Sequence, residues 1–179
     1  MDEAELREQL ERHHELSFGW ALSCCARQAD EAEDVLQTVY LKILEGRARY
    51  DGQSSFKTWL FAVIRLTALD ERRRHWLRRL RLRGYKREQP VTVEADRTLE
   101  SSERLQAFRQ ALAKLPERQR EVLHLVFYQE LTVEEAASVM GVSLGSARTH
   151  YARGKDRLRT WLAASELFHE RKTSPATLP

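Results

Sequence analysis

Residues 131–159 contain the pattern that most constrains the fold of this chain, two short helical segments separated by a glycine. Thr132 and Glu135 have the spacing of a capping box, in which the hydroxyl and the carboxylate each accept a hydrogen bond from a free N–H at the start of a helix. Gly141 permits the positive φ of a tight helix exit, and Ser143 can cap the helix that follows. The stretch therefore predicts a helix-turn-helix.

The second predicted helix separates an apolar face from a polar one. Its outward residues are Ser146, Arg148, Thr149, His150 and Arg153. Short hydroxyls and cationic tips suit the base edges and phosphates of a DNA major groove. An ordinary amphipathic helical hairpin with a solvated basic face would show the same pattern, so this stretch alone leaves both interpretations open.

The composition favours an all-α protein of one large or two small domains. The 179 residues include only 7 Gly and 4 Pro, with 42% hydrophobic and 32% charged residues. No apolar run approaches the roughly 20 residues of a membrane span, and the charged N-terminus is unlike a secretory signal. The adjacent Cys24 and Cys25 lack the spacing of a disulfide framework or a metal site. We therefore expect a cytoplasmic protein without metal or cofactor.

Charge alternates along the chain, although the net charge is only +3. Residues 1–71 and 94–141 are acidic, whereas residues 72–93 carry nine basic residues against one acidic and residues 142–179 are again basic. Two separated basic blocks would suit a nucleic acid that touches the chain at two places, and the acidic surfaces could meet a partner protein. Solvated helix faces are the alternative interpretation.

The N-terminal half predicts a compact bundle of three or more helices. Apolar residues recur at helical spacing up to about Arg27, in one helix or two, then from Asp30 to Gly46, and again beyond Ser55. Asp30 has the spacing to cap the second segment. Ser54 or Ser55 stands where the third helix should begin.

Residues 83–101 interrupt the helical pattern with Gly, Pro and mixed charges, which indicates a linker. The linker divides the chain into a predicted domain over residues 1–82 and a second over residues 102–171. In the second domain, Pro116 suits the first turn of a helix because its missing N–H is unused there. Residues 172–179 are expected to be disordered.

The order of these segments resembles that of extracytoplasmic-function (ECF) sigma factors, the small two-domain branch of the housekeeping-type sigma family. The similarity to region 2.2 lies in AEDVLQTVYLKIL at residues 32–44, and that to regions 2.3 and 2.4 in SSFKTWLFAVIRLTALDERRR at residues 54–74. Residues 115–159 resemble region 4 nearly end to end. Each motif is moderately specific, whereas their order and spacing are highly specific. The resemblance implies two helical domains that give bacterial RNA polymerase its promoter specificity.

The resemblance implies core RNA polymerase as a partner, through the β′ coiled coil and the β flap. In the family, the region 2.2 helix docks on the β′ coiled coil. The matching residues here are Asp34, Leu36, Gln37, Tyr40 and Leu41. Thr38 stands where an acidic residue is more usual. Family members are often held by an anti-sigma factor, which the acidic N-terminal surface could serve, and none of this requires membrane insertion.

Promoter DNA is the second implied partner, read at two sites. A loop that captures a flipped base and the helix after it read the −10 element. The matching residues are Tyr50, Asp51, Gln53, Ser54, Ser55, Arg65, Arg72, Arg73 and Arg74. The recognition helix of region 4 reads the −35 element in the major groove. Its matching residues are Ser143, Ser146, Arg148, Thr149, His150, Ala152 and Arg153.

Three residues depart from the family's pattern within these sites. Leu66 stands where asparagine is common, and an apolar side chain cannot make the paired hydrogen bonds of an amide. His150 replaces a common arginine, which should weaken a phosphate contact and make it sensitive to pH. Gly154 stands where alanine is usual, at a cost of about 1 kcal/mol in helix propensity.

Two other classes of function compete with this one. A stand-alone helix-turn-helix regulator that binds DNA as a dimer would explain residues 131–159 but would leave residues 32–74 without a purpose. An enzyme is disfavoured, because the sequence has no Gly-rich phosphate loop, no HExxH and no nucleophile–base arrangement. We expect a non-enzymatic protein of the bacterial cytoplasm, associated with the nucleoid when bound to polymerase.

Overall fold

A computed structural model of the chain describes residues 2–82, residue 108 and residues 110–163. Its helices are α1 (Glu3–Arg12), α2 (His14–Cys24), α3 (Ala29–Leu44), α4 (Phe56–Leu82), α5 (Glu117–Phe127), α6 (Val133–Met140) and α7 (Leu144–Ala163). No strand occurs among the described residues, which confirms the all-α class. The predicted linker and the predicted disordered tail lie outside them.

The start of the chain forms two helices, with the break at His13. The backbone of His13 leaves helical geometry, and its Nδ1 lies 2.8 Å from the carbonyl oxygen of Gln9. After α2 the chain turns through Ala26 and Arg27, both with positive φ. The next helix, α3, consequently begins at Ala29. Asp30 lies in its first turn and does not cap it, so that prediction was wrong, although a carboxylate there still complements the helix dipole.

Helix α4 forms the centre of the N-terminal unit, which we define as α1–α4. The amide of Thr58 donates to Ser55 Oγ at 3.1 Å, which confirms the predicted cap. Leu60, Phe61 and Ile64 of α4 are fully buried, and α4 packs against α2 and α3. The indole N–H of Trp20 on α2 donates to the Phe61 carbonyl oxygen at 3.0 Å. This bond satisfies the polar atom of a fully buried ring.

The C-terminal unit, α5–α7, contains the predicted helix-turn-helix. The Thr132 amide donates to the Glu135 carboxylate at 2.8 Å and the Glu135 amide to the Thr132 hydroxyl at 3.2 Å, which confirms the capping box. Gly141 has a φ of 63°, as a left-handed exit requires. Pro116 occupies the position before α5 rather than its first turn, so the predicted start was one residue early.

The two units pack against each other, because α6 lies on α4 and the buried apolar residues of both form one continuous cluster. Helix α4 is therefore enclosed on one side by α2 and α3 and on another by α6. None of the described helices is long and apolar enough to cross a membrane.

Candidate nucleic-acid and polymerase interfaces

The N-terminal half of α7 presents the predicted −35 residues to solvent. Ala147 and Leu158 are buried against the rest of the unit, which fixes the outward face of the helix. The Ser146 amide donates to Ser143 Oγ at 3.2 Å, as predicted for a cap. The residues Ser143, Ser146, Arg148, Thr149, Ala152 and Arg153 are exposed, and His150 is half-buried. The structure therefore brings these predicted residues together on one exposed surface.

Gly154 does not interrupt α7, because the helix continues to Ala163. The glycine is buried where α7 packs against α5. A Cβ added at this position would stand 3.0 Å from Leu123 Cδ1 and 3.3 Å from Gln119 Cβ. The missing side chain thus permits the close approach of the two helices. Helix propensity alone could not indicate this, since the requirement comes from a tertiary contact.

The predicted −10 loop is held in a defined shape by its own side chains. The Tyr50 hydroxyl donates to the Ser54 carbonyl oxygen, and the Tyr50 ring lies 5.5 Å from the ring of Trp59. The backbone N–H of Gln53 donates to Asp51 Oδ1 at 3.1 Å. Asp51, Gln53 and Ser55 remain exposed, whereas Ser54 is half-buried. Trp59 packs within an aromatic cluster that also includes Phe56.

The predicted arginine track on α4 is divided by the structure. Arg72, Arg73 and Arg74 are exposed, Arg72 pairs with Glu117 at 2.8 Å and Arg74 with Glu71 at 2.8 Å. Arg65 is only 6% exposed, because it lies against α5. In this conformation Arg65 is not available to DNA, which the sequence pattern could not indicate.

The predicted docking face on α3 forms one side of a shallow groove of about 580 Å³. Asp34, Gln37 and Leu41 are exposed and Tyr40 is half-buried. Leu36 is 4% exposed, so it forms the floor of the groove and cannot reach far towards a partner.

The opposite side of this groove comes from α2, through His14 and Phe18. The His14 ring nitrogen Nδ1 lies 3.0 Å from the Tyr40 hydroxyl, which ties the two sides together. Sequence reasoning missed both residues, because they are far from α3 along the chain and only the packing of α2 on α3 brings them there.

The cysteines offer no reactive thiol. Burial raises the pKa of Cys24 well above its ordinary value and raises that of Cys25 to about 11, so both stay protonated. Both are free in the structure. In the part of the chain that the structure describes, no three His, Cys, Asp or Glu side chains group as metal ligands would.

Both units match families of known proteins. Residues 10–78 match the family model of Sigma-70 region 2, and residues 105–158 match that of Sigma-70 region 4. The ECF RNA polymerase sigma factor SigC of Mycobacterium tuberculosis is 30% identical over 139 residues, which cover 78% of this chain and 74% of SigC. The ECF sigma factor SigX of Bacillus subtilis is 29% identical over 159 residues, 82% of each chain.

Two solved structures share the fold. The sigma factor RpoE from Bartonella quintana, crystallised with the anti-sigma factor NepR, has a TM-score of 0.70 at 24% identity and covers 90% of this chain and 99% of its own. CnrH, in complex with the cytosolic domain of CnrY, has a TM-score of 0.61 at 20% identity over 92% of both chains. At these identities the likeness concerns the fold alone.

Proposed function

This chain belongs to the ECF family of RNA polymerase sigma factors, and from that premise we propose how its two units share the task of directing core polymerase to a promoter. Sigma factors are transcription initiation factors rather than enzymes. In our proposal the N-terminal unit docks on core and reads the −10 element, while the C-terminal unit reads the −35 element. The observation that carries the proposal is the capped helix-turn-helix with its exposed basic face, on the same chain as the polar docking face of α3.

We assign −35 recognition to the first turns of α7. The guanidinium groups of Arg148 and Arg153 are exposed and can pair bidentately with guanine or clamp a phosphate. Thr149 lies between them, and its hydroxyl donates to the Gly145 carbonyl oxygen at 2.9 Å, which leaves its oxygen and methyl group to face a base. Ser143 and Ser146, at the positive end of the helix dipole, suit phosphate contacts.

We assign −10 recognition to the loop that precedes α4. The exposed Asp51 and Gln53 provide an acceptor and an amide for the Watson–Crick edge of a flipped base. The arginines Arg72 and Arg73 would hold the backbone of the separated strand. Leu66 is 58% exposed and offers only an apolar surface where relatives commonly have asparagine. We therefore expect an unusual preference at the base that this position meets.

We assign docking on the β′ coiled coil to the groove between α2 and α3. Asp34 and Gln37 supply polar contacts at its rim, and the exposed Leu41 supplies apolar area. A second apolar groove between α5 and α7, which includes Phe127 and Leu158, would meet the β flap. Core polymerase would hold both units at a fixed spacing. Once one unit binds its promoter element, the other is at high effective concentration near its own element, so two weak DNA contacts together give tight binding.

Reconstituted transcription tests this proposal. The purified chain is combined with core polymerase and a pool of genomic fragments, and run-off transcripts are mapped to give the start sites and both promoter elements. We expect start sites that share two elements at a fixed spacing. Absence of both core binding and initiation would overturn the proposal. Tight sequence-specific duplex binding without core would instead support the stand-alone regulator, which the two matched regions do not favour.

Two further parts of the proposal follow from the family. An anti-sigma factor would control the chain by covering the faces described above; the sigma factor RpoE of Bartonella quintana was crystallised with such a factor, NepR. The activity would place the protein in the bacterial cytoplasm, and at the nucleoid when it is bound to polymerase.

A further inference from the structure

Two arginines of α4 pair with two glutamates of α5 across the junction of the units. The Arg65 guanidinium donates to the Glu121 carboxylate, and the side chains are only 8% and 12% exposed. Farther along α4, Arg72 donates to Glu117 at 2.8 Å. The two pairs are in opposite order along the two helices, since Arg72 follows Arg65 on α4 whereas Glu117 precedes Glu121 on α5. An acidic edge of the C-terminal unit, formed by Glu117 and Glu121, therefore pairs with a basic edge of the N-terminal unit, formed by Arg65 and Arg72.

The Arg65–Glu121 pair carries most of the energetic weight. An exposed pair such as Arg72–Glu117 contributes little, because water screens it and both side chains lose entropy. A buried pair is different, since removal of one partner leaves the other charge buried without compensation. Glu121 is also held from its own helix by Arg118, at 3.1 Å, so its carboxylate is oriented before the units meet.

Other contacts fix the register in which the two units meet. The side-chain amide of Gln129 donates to the Leu16 carbonyl oxygen at 3.5 Å, and Lys57 donates to the Gln129 carbonyl oxygen. Gln129 is buried although it lies between two helices of the C-terminal unit. These contacts join the units in the same arrangement in which Glu117 and Glu121 meet the arginines.

We propose that Glu117 and Glu121 act as an intramolecular substitute for DNA phosphates, which occupies Arg65 and Arg72 in the free protein and releases them only when the two units separate. A carboxylate and a phosphate oxygen make the same charge-assisted hydrogen bonds to a guanidinium group, so they compete for it. The inference rests on the proposed function: the strand-holding role is proposed above for Arg72 and is implied for Arg65 by the family resemblance.

The arrangement in which the two units pack together, which we call closed, leaves the other proposed interfaces exposed. Arg148 and Arg153 are exposed on α7, and Asp34 and Gln37 are exposed on α3. Core polymerase can therefore meet the docking groove before the units separate, while single-stranded DNA cannot meet Arg65. The acidic edge withholds Arg65 from DNA and competes for the exposed Arg72, without blocking the docking step on core polymerase.

The test is a full-length variant that carries Glu117→Gln and Glu121→Gln. Because neutral amides cannot compensate the buried Arg65, we expect the units to separate, seen as a larger radius of gyration in small-angle X-ray scattering. Binding of a short fluorescein-labelled single-stranded DNA, followed by anisotropy, should tighten on the order of tenfold as the competent state becomes populated.

The matched control carries Glu130→Gln and Glu134→Gln, which removes the same charge from exposed positions of the same unit. It should keep the wild-type radius and gain little affinity. A test variant that stays closed, or that opens without a gain over the control, overturns the inference. If the test variant loses helicity in circular dichroism, Glu121→Gln alone takes its place with the same readouts, since it removes the partner of the buried Arg65. Run-off transcription by the wild type with core decides the proposed function separately.

Discussion

The imidazole ring of His124 on α5 lies against the indole ring of Trp20 on α2, with 5.3 Å between the ring centroids. Trp20 is fully buried, and its other neighbour is the ring of Phe61 on α4. The Tyr128 ring stacks on His124 from within its own unit, also at 5.3 Å. His124 therefore inserts between an aromatic surface of each unit, and the junction depends on its remaining uncharged.

Acidification should weaken this junction. Burial, together with the nearby charge of Arg27, lowers the pKa of His124 to about 4. A separated or unfolded chain would titrate this histidine near its ordinary value of about 6.5. The stabilisation is therefore complete above about pH 6.5 and is lost as the pH falls towards 4, by up to roughly 3 kcal/mol. Scattering and thermal unfolding between pH 7.5 and pH 5 would measure the change.

The variant His124→Phe is the control for this pH dependence, because it keeps an aromatic ring in the contact and cannot take up a proton. The junction of this variant should be nearly independent of pH in the same window. The Arg72 hydrogen bond lowers the pKa of Glu117, so that carboxylate stays ionised until more acidic conditions and does not contribute here. Equal acid sensitivity of wild type and variant would contradict the prediction.

Local signals in the sequence predicted the local structure well. The capping box at Thr132, the left-handed turn at Gly141 and the cap at Ser55 all depend on residues within three or four positions of each other. The outward face of α7 also followed from helical spacing alone. The errors at Asp30 and Pro116 are shifts of a helix boundary, where the conformation of the preceding turn decides the first residue.

Contacts between distant segments could not be predicted in this way. The family resemblance implies a DNA contact for Arg65, whereas the structure pairs it with Glu121, 56 positions later in the chain. Helix propensity marks Gly154 as unfavourable in a helix, whereas its contacts with α5 show that a residue without a side chain is required there. Both residues are defined by a partner that spacing along one helix cannot identify.

The variant Arg148→Ala should lose −35-dependent initiation while it keeps core binding. Removal of one bidentate contact to a base costs about 1–3 kcal/mol of discrimination, so initiation at a promoter with an intact −35 element should fall by roughly tenfold or more. Run-off transcription with promoters that carry or lack the −35 element measures this. Arg159→Ala is the matched control, since Arg159 is exposed on the same helix, pairs with Asp156, and lies beyond the recognition half. An equal loss of core binding would disprove our division between the units.

A double variant with Asp34→Ala and Gln37→Ala should weaken core binding while it keeps the fold of the protein. Both side chains are exposed at the docking groove and no ion pair of the described structure uses Asp34, so the fold should be unchanged within about 0.5 kcal/mol. Core binding, measured by co-migration in native gels, should weaken severalfold or more. Glu31→Ala, an exposed change in the first turn of α3, provides the control. Unaltered core binding in the double variant would place the docking face elsewhere.

The variant Gly154→Ala should destabilise the C-terminal unit, although alanine is the better helix former. Its methyl group would stand 3.0 Å from Leu123 Cδ1 and 3.3 Å from Gln119 Cβ, and both neighbours are buried. Overpacking costs about 1–3 kcal/mol, against a propensity gain of about 1 kcal/mol, so we expect a net loss of about 1 kcal/mol in urea unfolding. Gly145→Ala on the same helix meets nothing within 4 Å and should be neutral or stabilising. If Gly154→Ala were as stable as the wild type, α7 would have room to move away from α5, and the glycine would not be required for their packing.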